Sequence, residues 1–195
     1  MSETRRRVLP AGLLLFLLAC GGAHAPPAAE DPKAPAPDLT GQTVMVLPVQ
    51  PGGGAPLAEL DAEIAFWLGE RAPRVRWVFP AELDRILARS PALEIRLREL
   101  AVGSFGRAAV KRIGDPLYGD LRRLGAIVNA RYAILPVAAG TVAAGTGTRV
   151  ELAAAVVDTF DGAVLWFGVV GGDVAPAGPE ATAGAARALA RALFP

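Results

Sequence analysis

Apolar residues along positions 43–193 fall into two kinds of run. Short continuous runs rich in β-branched residues are typical of strands buried on both faces of a sheet. They predict five strands, at Thr43–Val49, Arg74–Phe79, Tyr132–Val137, Thr148–Asp158 and Ala163–Val170. The segment between the last two contains Asp161-Gly162, a strong hairpin signal because glycine accepts the positive φ of a tight turn. The last two strands are therefore predicted to be antiparallel.

Between these runs, apolar residues recur every three or four positions, which indicates amphipathic helices. The first helix follows Pro56 and stops before Pro73, and the second is opened by Pro80. Three more are predicted at Ala92–Ala101, Leu117–Val128 and Gly178–Leu193. The order β-α-β-α-α-α-β-β-β-α predicts a single α/β domain with a mixed sheet of about five strands flanked by helices.

The amino terminus has the organisation of a signal peptide. Arg5–Arg7 form a basic region, and the 11 apolar-rich residues Val8–Leu18 are too few for a membrane span, which needs roughly 20. The sequence Leu-Leu-Ala-Cys ending at Cys20 resembles the lipobox of bacterial lipoproteins at every position. The resemblance implies cleavage after residue 19 and diacylation of the Cys20 sulfur. Gly21, in place of an aspartate, favours the outer membrane, facing the periplasm; an ordinary secretory signal with an incidental cysteine is the alternative.

Residues 21–38 are rich in proline and alanine and predict an extended tether. At about 3.1 Å per residue its reach is on the order of 50 Å. The expected organisation is therefore a signal peptide at 1–19, a lipidated cysteine with its tether at 20–39, and an α/β domain at 40–195. The membrane is contacted through the amino-terminal lipid.

Charge and composition exclude several classes of function for this domain. Removing residues 1–19 takes away Arg5–Arg7 and Glu3, which leaves 17 basic and 18 acidic residues and gives no reason to expect a nucleic-acid partner. The single cysteine and single histidine, Cys20 and His24, precede the domain, so it can hold neither a Cys/His zinc site nor a histidine-based catalytic triad. We expect no cofactor, no metal and no enzymatic activity; an enzyme would need a facing pair of carboxylates.

Some features could carry chemistry, and each also has a structural interpretation, which we favour. Gly52–Gly54 lies between a strand and a helix, where phosphate cradles occur, but lacks the Lys-Ser/Thr of a Walker loop. Asp158 and Asp161 could bind a cation, although turn hydrogen bonds explain them better. The remaining candidates are acidic residues expected on a solvated helix face and tryptophans expected in the core: Glu59, Asp61, Glu63, Trp67, Trp77 and Trp166.

Parts of the sequence resemble a family of bacterial envelope domains. The residues concerned are Val44–Pro48, Leu124-Gly125 with Asn129–Leu135, and Val150–Asp158 with Val164–Trp166. The family includes the amino-terminal domain of TolB, the periplasmic core of the curli-secretion lipoprotein, and lipoprotein activators of penicillin-binding proteins. The resemblance implies this fold over residues 43–172. Channel formation is not implied, because residues 90–130 show helical spacing instead of the alternation of a barrel strand.

The arginine-rich segment 96–123 is the one irregular and partly basic surface, and we expect it to bind a partner; a solvated loop is the alternative. Its candidate residues are Arg96, Phe105, Arg107, Tyr118, Arg122 and Arg123. The leading hypothesis is a lipid-anchored, non-enzymatic accessory protein that docks with another envelope protein. The second is a binding module for a small molecule or cell-wall glycan, with a pocket around Trp166 or Tyr118.

Overall fold

A computed structural model describes residues 35–106 and 110–195 as one α/β domain. Its five-stranded mixed sheet has the order β2-β1-β3-β4-β5. β1 pairs in parallel with β2 and β3, whereas β3, β4 and β5 are antiparallel. The strands are β1 (Thr43–Val46), β2 (Arg76–Val78), β3 (Tyr132–Ala144), β4 (Gly147–Asp158) and β5 (Val164–Gly171).

Helices cover both faces of this sheet. They are α1 (Leu57–Arg71), α2 (Pro80–Ala88), α3 (Leu117–Val128) and α4 (Pro179–Leu193). α1 and α4 pack on one face with Val44 and Val46, and α2 and α3 pack on the other with Met45 and Leu47. Successive strand residues point to opposite faces, so β1 is apolar and buried from Val44 to Val46 because both faces are covered.

The predicted fold class is confirmed: a single α/β domain with a five-stranded mixed sheet and an antiparallel carboxyl-terminal hairpin. The predicted bounds of α3, Leu117–Val128, are correct at both ends. A run of leucines at helical spacing, placed after Pro116 and before a left-handed Asn129, defines this helix.

The helix predicted at Ala92–Ala101 is wrong. A single 3₁₀ turn covers Pro91–Leu93, and Glu94 takes a left-handed conformation with φ of 48°. The following backbone is held by a buried side chain instead of by helical hydrogen bonds. Gln50 Nε2 donates to the carbonyl of Leu97 at 2.8 Å, and Leu100 N–H donates to Gln50 Oε1 at 3.0 Å. The leucine spacing therefore reflects an irregular segment packed on the core.

Three strand lengths also differ from the prediction. β2 covers only Arg76–Val78 instead of Arg74–Phe79. β1 ends at Val46 instead of Val49, although residues 47–49 stay buried. β3 continues to Ala144 instead of ending at Val137, with a bulge between Pro136 and Ala138. Proline cannot donate to the ladder, and a bulge is one of the few places where a strand tolerates it. Pairing with β4 then carries the strand through residues 138–144, of which only Thr141 and Val142 favour a strand on their own.

Candidate functional site: an arginine groove at one edge of the sheet

One edge of the sheet carries a groove with a volume of 720 Å³. β1, β2 and β3 all begin at this edge, and the antiparallel β4 ends there. The arginine groove, as we call it, is lined by Gln42, Thr43, Arg76, Arg122, Gly125, Ala126, Asn129, Ala130, Arg131, Thr159 and Phe160. Each charged residue in this lining is an arginine, so the groove is basic within a domain of nearly balanced charge.

An aromatic cluster forms one rim of the arginine groove. Phe160, in the turn between β4 and β5, is 72% exposed. The Tyr118 hydroxyl donates to the Phe160 carbonyl at 2.8 Å, and Arg122 Nη1 donates to the Tyr118 hydroxyl at 3.0 Å. The Arg122 guanidinium carbon lies 5.9 Å from each of the two ring centroids, within the range of a cation–π contact. The arginine is thereby held at the rim.

Arg131, an exposed residue of the groove lining, is held in place by a buried carboxylate. Its Nε donates to Asp158 Oδ2 at 2.8 Å, and Asp158 is only 4% exposed. This hydrogen bond, with the charge of Asp158, raises the pKa of Arg131. Arg76, the first residue of β2, makes no ion pair with the residues that the structure describes. The three arginines therefore differ in how far their charge is already neutralised.

The structure separates the residues predicted to bind a partner. Tyr118 and Arg122 lie together at the groove, and Arg123 lies one residue on, where its Nη2 contacts Asp120 at 2.6 Å. Arg96 pairs with Glu99 in the segment before the 3₁₀ turn at 102–106, away from the groove lining. Phe105 is buried and stacks on Phe167, so its ring is not available at the surface. Arg107 lies outside the described residues.

Sequence reasoning missed Arg76, Arg131 and Phe160. A usable signal existed for two of them, because Arg76 begins β2 and Arg131 immediately precedes β3. Residues at the starts of parallel strands meet at one edge of a sheet, so both arginines could have been placed there. Phe160 gave no such signal, since an aromatic residue in a turn does not by itself distinguish exposure from burial.

The glycine loop that could have held a phosphate packs against the sheet instead. Gly54 forms a bridge with Gly140 of β3, and Thr141 N–H donates to the Gly53 carbonyl. A Cβ at Gly53 would lie 2.3 Å from the Ala139 carbonyl oxygen, and Gly53 has φ of +78°. Close backbone approach explains the glycine at this position.

The three acidic candidates on α1, Glu59, Asp61 and Glu63, do not act together. Asp61 Oδ1 accepts a 2.7 Å hydrogen bond from Val49 N–H, and Asp61 Oδ2 accepts one of 2.6 Å from Arg98. Burial raises the pKa of Asp61 despite these contacts. Glu63 accepts from Trp67 Nε1 at 3.1 Å, and Glu59 is exposed. The expectation that Asp61 belongs to a solvated face is wrong, because Arg98 covers it.

The paired aspartates of the last turn have structural roles. Asp158 Oδ1 accepts a hydrogen bond from Phe160 N–H at 2.8 Å, and Asp161 Oδ1 accepts one from Ala163 N–H at 2.8 Å. Within residues 35–106 and 110–195, no three metal-ligating side chains come together. In the same residues no helix has the length and apolar character needed to cross a bilayer.

The tryptophans belong to the packing of the domain. Trp166 is 2% exposed and lies in the core between the sheet and helices α1 and α4. Trp67 and Trp77 are partly buried against the same core. The expected role in packing is confirmed for Trp166, so a ligand pocket does not form around it.

A smaller cavity of 330 Å³ marks the place where the tether meets the domain. Residues 36–40 line it together with the carboxyl ends of α1 and α4. Leu39 inserts into the core with 1% exposure, and Gly41 N–H donates to the Arg74 carbonyl at 3.1 Å. Thr40 N–H donates to Asp38, which lowers the pKa of that carboxyl. The chain therefore enters at the same edge as the arginine groove.

The opposite end of the molecule is a projecting hairpin. β3 and β4 pair as far as Ala144 and Gly147, whereas β1 pairs with β3 only up to Ile134. Val142 is 36% exposed, and Val174, beside the hairpin end, is 55% exposed. A strand of this length spans about 40 Å, so the hairpin end lies far from the tether.

Comparisons with known proteins give a distant likeness only. No protein-family model matches the chain, and no curated protein matches it. Similar solved structures include a variant PelC dodecamer from Paraburkholderia phytofirmans, at 14% identity and TM-score 0.47 over 83% of this chain and 95% of that one. Another is the lipoprotein GNA1162 from Neisseria meningitidis, at 16% identity and TM-score 0.45 over 70% of this chain and 82% of that one.

A second PelC dodecamer from Paraburkholderia phytofirmans matches at 16% identity and TM-score 0.43, over 80% of this chain and 92% of that one. At these identities and TM-scores the likeness establishes neither a family nor a function for this chain. The resemblance to the TolB-like envelope domains is not confirmed by any of these matches.

Proposed function

We propose that the chain is a lipid-anchored, non-enzymatic envelope protein that docks with another envelope protein through its projecting hairpin. The anchor is argued from the lipobox at Leu17–Cys20, which places the protein in a bacterial envelope, with the outer membrane favoured by Gly21. The resemblance to TolB-like accessory domains agrees with such a role. The docking surface is argued from the hairpin.

The observation that carries the docking surface is the open outer edge of β3. Gly53 and Gly54 border this edge at Gly140 and Thr141. Among the described residues, no strand pairs with the outer side of residues 142–144. An open strand edge offers unpaired N–H and C=O groups to an added strand, and Val142 supplies apolar surface there. Val174 lies on the far side of β4, beside Gly147, so a partner that adds a strand to β3 and covers the hairpin end would contact both valines.

A non-enzymatic role is supported by how the carboxylates are used. Asp61 is bound to Arg98 and to a backbone amide, and Asp158 to Arg131 and a backbone amide. Carboxylates engaged in this way are poorly placed to serve as a catalytic pair, which needs open access to substrate.

Site-specific photocrosslinking in intact cells tests the docking proposal. A photoreactive residue at Val142 or Val174 should give one discrete protein adduct, whereas the same residue at exposed Glu59 on α1 should not. Val142→Lys should abolish the adduct formed at position 174, because a charge on the edge blocks strand addition. Ile127→Lys, at an exposed position of α3, is the matched control and should leave that adduct unchanged. Adducts that do not depend on position would overturn the proposal.

The second candidate is a ligand-binding module, and the volume of the arginine groove favours it. A groove of this size with an exposed aromatic ring could take a small molecule or a glycan fragment. Muropeptide that stabilises the folded protein, with the gain lost in Phe160→Ala, would replace docking as the leading function.

A further inference from the structure

The arginine groove has an excess of positive charge that the fold does not use. Arg131 is neutralised by Asp158, whereas among the described residues Arg122 contacts a hydroxyl and two aromatic rings and no carboxylate. Arg76 makes no ion pair within the described residues. Two guanidinium groups therefore border one concavity with their charge unbalanced. Guanidinium groups recognise phosphate and carboxylate through paired hydrogen bonds.

One feature of the groove opposes an anion. α3 ends here, and Gly125, Ala126 and Asn129 belong to the lining. A helix carboxyl end carries about half a negative elementary charge. The Asn129 N–H already donates to the Gly125 carbonyl, which satisfies part of that end. Two full positive charges outweigh the remainder, so the groove favours an anion.

The position of the arginine groove indicates where the anion comes from. Gln42 and Thr43 form part of its wall, and the tether enters the fold immediately before them. Gln42 is only 22 residues after Cys20, the expected lipid attachment. An extended tether can hold the domain off the membrane, but the same edge is the part of the domain that the anchor keeps within reach of the headgroups.

Phe160 adds an apolar element at the rim of the groove. It is 72% exposed and held beside Arg122 by the Tyr118 hydrogen bonds. An exposed aromatic ring next to cationic side chains is the combination found at surfaces that lie on a bilayer, where the ring enters the interface and the cations contact headgroups.

We propose that the arginine groove binds the phosphate groups of anionic lipid headgroups in the membrane that carries the anchor. This rests on the proposed lipid anchoring, because the anchor supplies the nearby membrane. The edge that contains Arg76, Arg122 and Phe160 then faces the bilayer, and the β3–β4 hairpin points away from it. Headgroup binding thereby presents the open outer edge of β3, at residues 142–144, to a partner.

The test uses the mature chain from residue 20 with Cys20→Ser, so that no acyl chain contributes. This protein should bind phosphatidylcholine vesicles that contain phosphatidylglycerol, should not bind pure phosphatidylcholine vesicles, and should lose binding as salt is raised. Each arginine near an anionic surface contributes about a fivefold gain in binding. The double variant Arg76→Gln with Arg122→Gln should therefore bind about 25-fold more weakly.

A charge-matched control separates the groove from overall charge. Arg85→Gln with Arg89→Gln removes two exposed arginines outside the groove lining and should leave vesicle binding unchanged. Circular dichroism of both double variants verifies that they are folded. Equal losses in the two variants, or binding to pure phosphatidylcholine, would overturn the proposal.

Two further titrations distinguish a lipid headgroup from a soluble anion as the ligand. Inorganic phosphate and a muropeptide are each titrated into the same protein at matched ionic strength. Binding of either one without binding to anionic vesicles overturns headgroup binding. Lipid anchoring is measured in a separate experiment, by testing whether wild-type Cys20 is acylated. A failure of vesicle binding can therefore be distinguished from a failure of the proposed function.

Discussion

Arg131 and Asp158 join the ends of two adjacent strands: Arg131 Nε donates a 2.8 Å hydrogen bond to Asp158 Oδ2. Tyr132, the next residue along β3, pairs with Asp158 at the end of β4. The same carboxylate caps the following turn by accepting from Phe160 N–H. A single buried side chain thus fixes both an arginine of the groove and the turn that carries its aromatic rim.

Asp158→Ala should destabilise the domain because it leaves the Phe160 amide and the Arg131 guanidinium without this acceptor. Loss of such a buried partner costs roughly 1–3 kcal/mol. Urea denaturation followed by tryptophan fluorescence measures the change in the free energy of unfolding. Asp173→Ala, at an exposed position, is the control and should change it little. Similar stabilities for the two variants would mean that the carboxylate does not hold the turn.

Gly53→Ala and Gly54→Ala form a matched pair for the glycine loop. Both residues have positive φ, at +78° and +73°, so each substitution costs about 1–2 kcal/mol in backbone strain. Only Gly53 also faces the Ala139 carbonyl, where an added Cβ would lie at 2.3 Å. Gly53→Ala should therefore lower the unfolding midpoint clearly more than Gly54→Ala. Equal midpoints would contradict close packing of this loop on β3.

Asp61 should give the domain a pH-dependent stability. Burial raises its pKa above the ordinary 3.8, so the folded state holds the proton more tightly than the unfolded chain. The stabilisation of the folded state by protonated Asp61 is present below pH 3.8. It is lost as the pH rises through the pKa that Asp61 has in the folded state. Across that window, wild type should lose stability relative to Asp61→Asn. The comparison is made by urea denaturation at a series of pH values, and a constant difference would refute it.

Cys20→Ala should abolish labelling by radioactive palmitate and release the protein from the membrane fraction. The reason is that the sulfur is the expected site of acylation. Fractionation and labelling of cells that express wild type or variant measure both effects. Intact mass of the mature wild-type protein is the companion measurement, and an unmodified thiol there would remove the basis for the anchor.

The fold could be predicted where each local pattern has one solution. Leucines at helical spacing between Pro116 and Asn129 allow only a helix, and the Asp161-Gly162 turn allows only a hairpin. The helix expected at Ala92–Ala101 is wrong because the side chain of Gln50, more than 40 residues earlier, hydrogen-bonds the backbone of Leu97 and Leu100. A contact at that separation leaves no trace in local periodicity.

The candidate site was predicted only in part for a similar reason. Tyr118 and Arg122 stood out within one basic segment, but their neighbours at the groove, Arg76, Arg131 and Phe160, come from three other segments. Only the order of the strands in the sheet brings these residues to one edge. The pairing of β1 between β2 and β3 is a property of the whole fold.

The insertion of Leu39 next to the first residues of β1 has a mechanical consequence. If residues 20–38 are pulled, the load passes directly into an interior strand, because Leu39 is buried and only three residues separate it from Thr43. Pulling along β1 shears its hydrogen bonds to β2 and β3 together instead of peeling them one at a time. The domain should thus resist tension from its anchor better than it would if residues 20–38 led into an edge strand of the sheet.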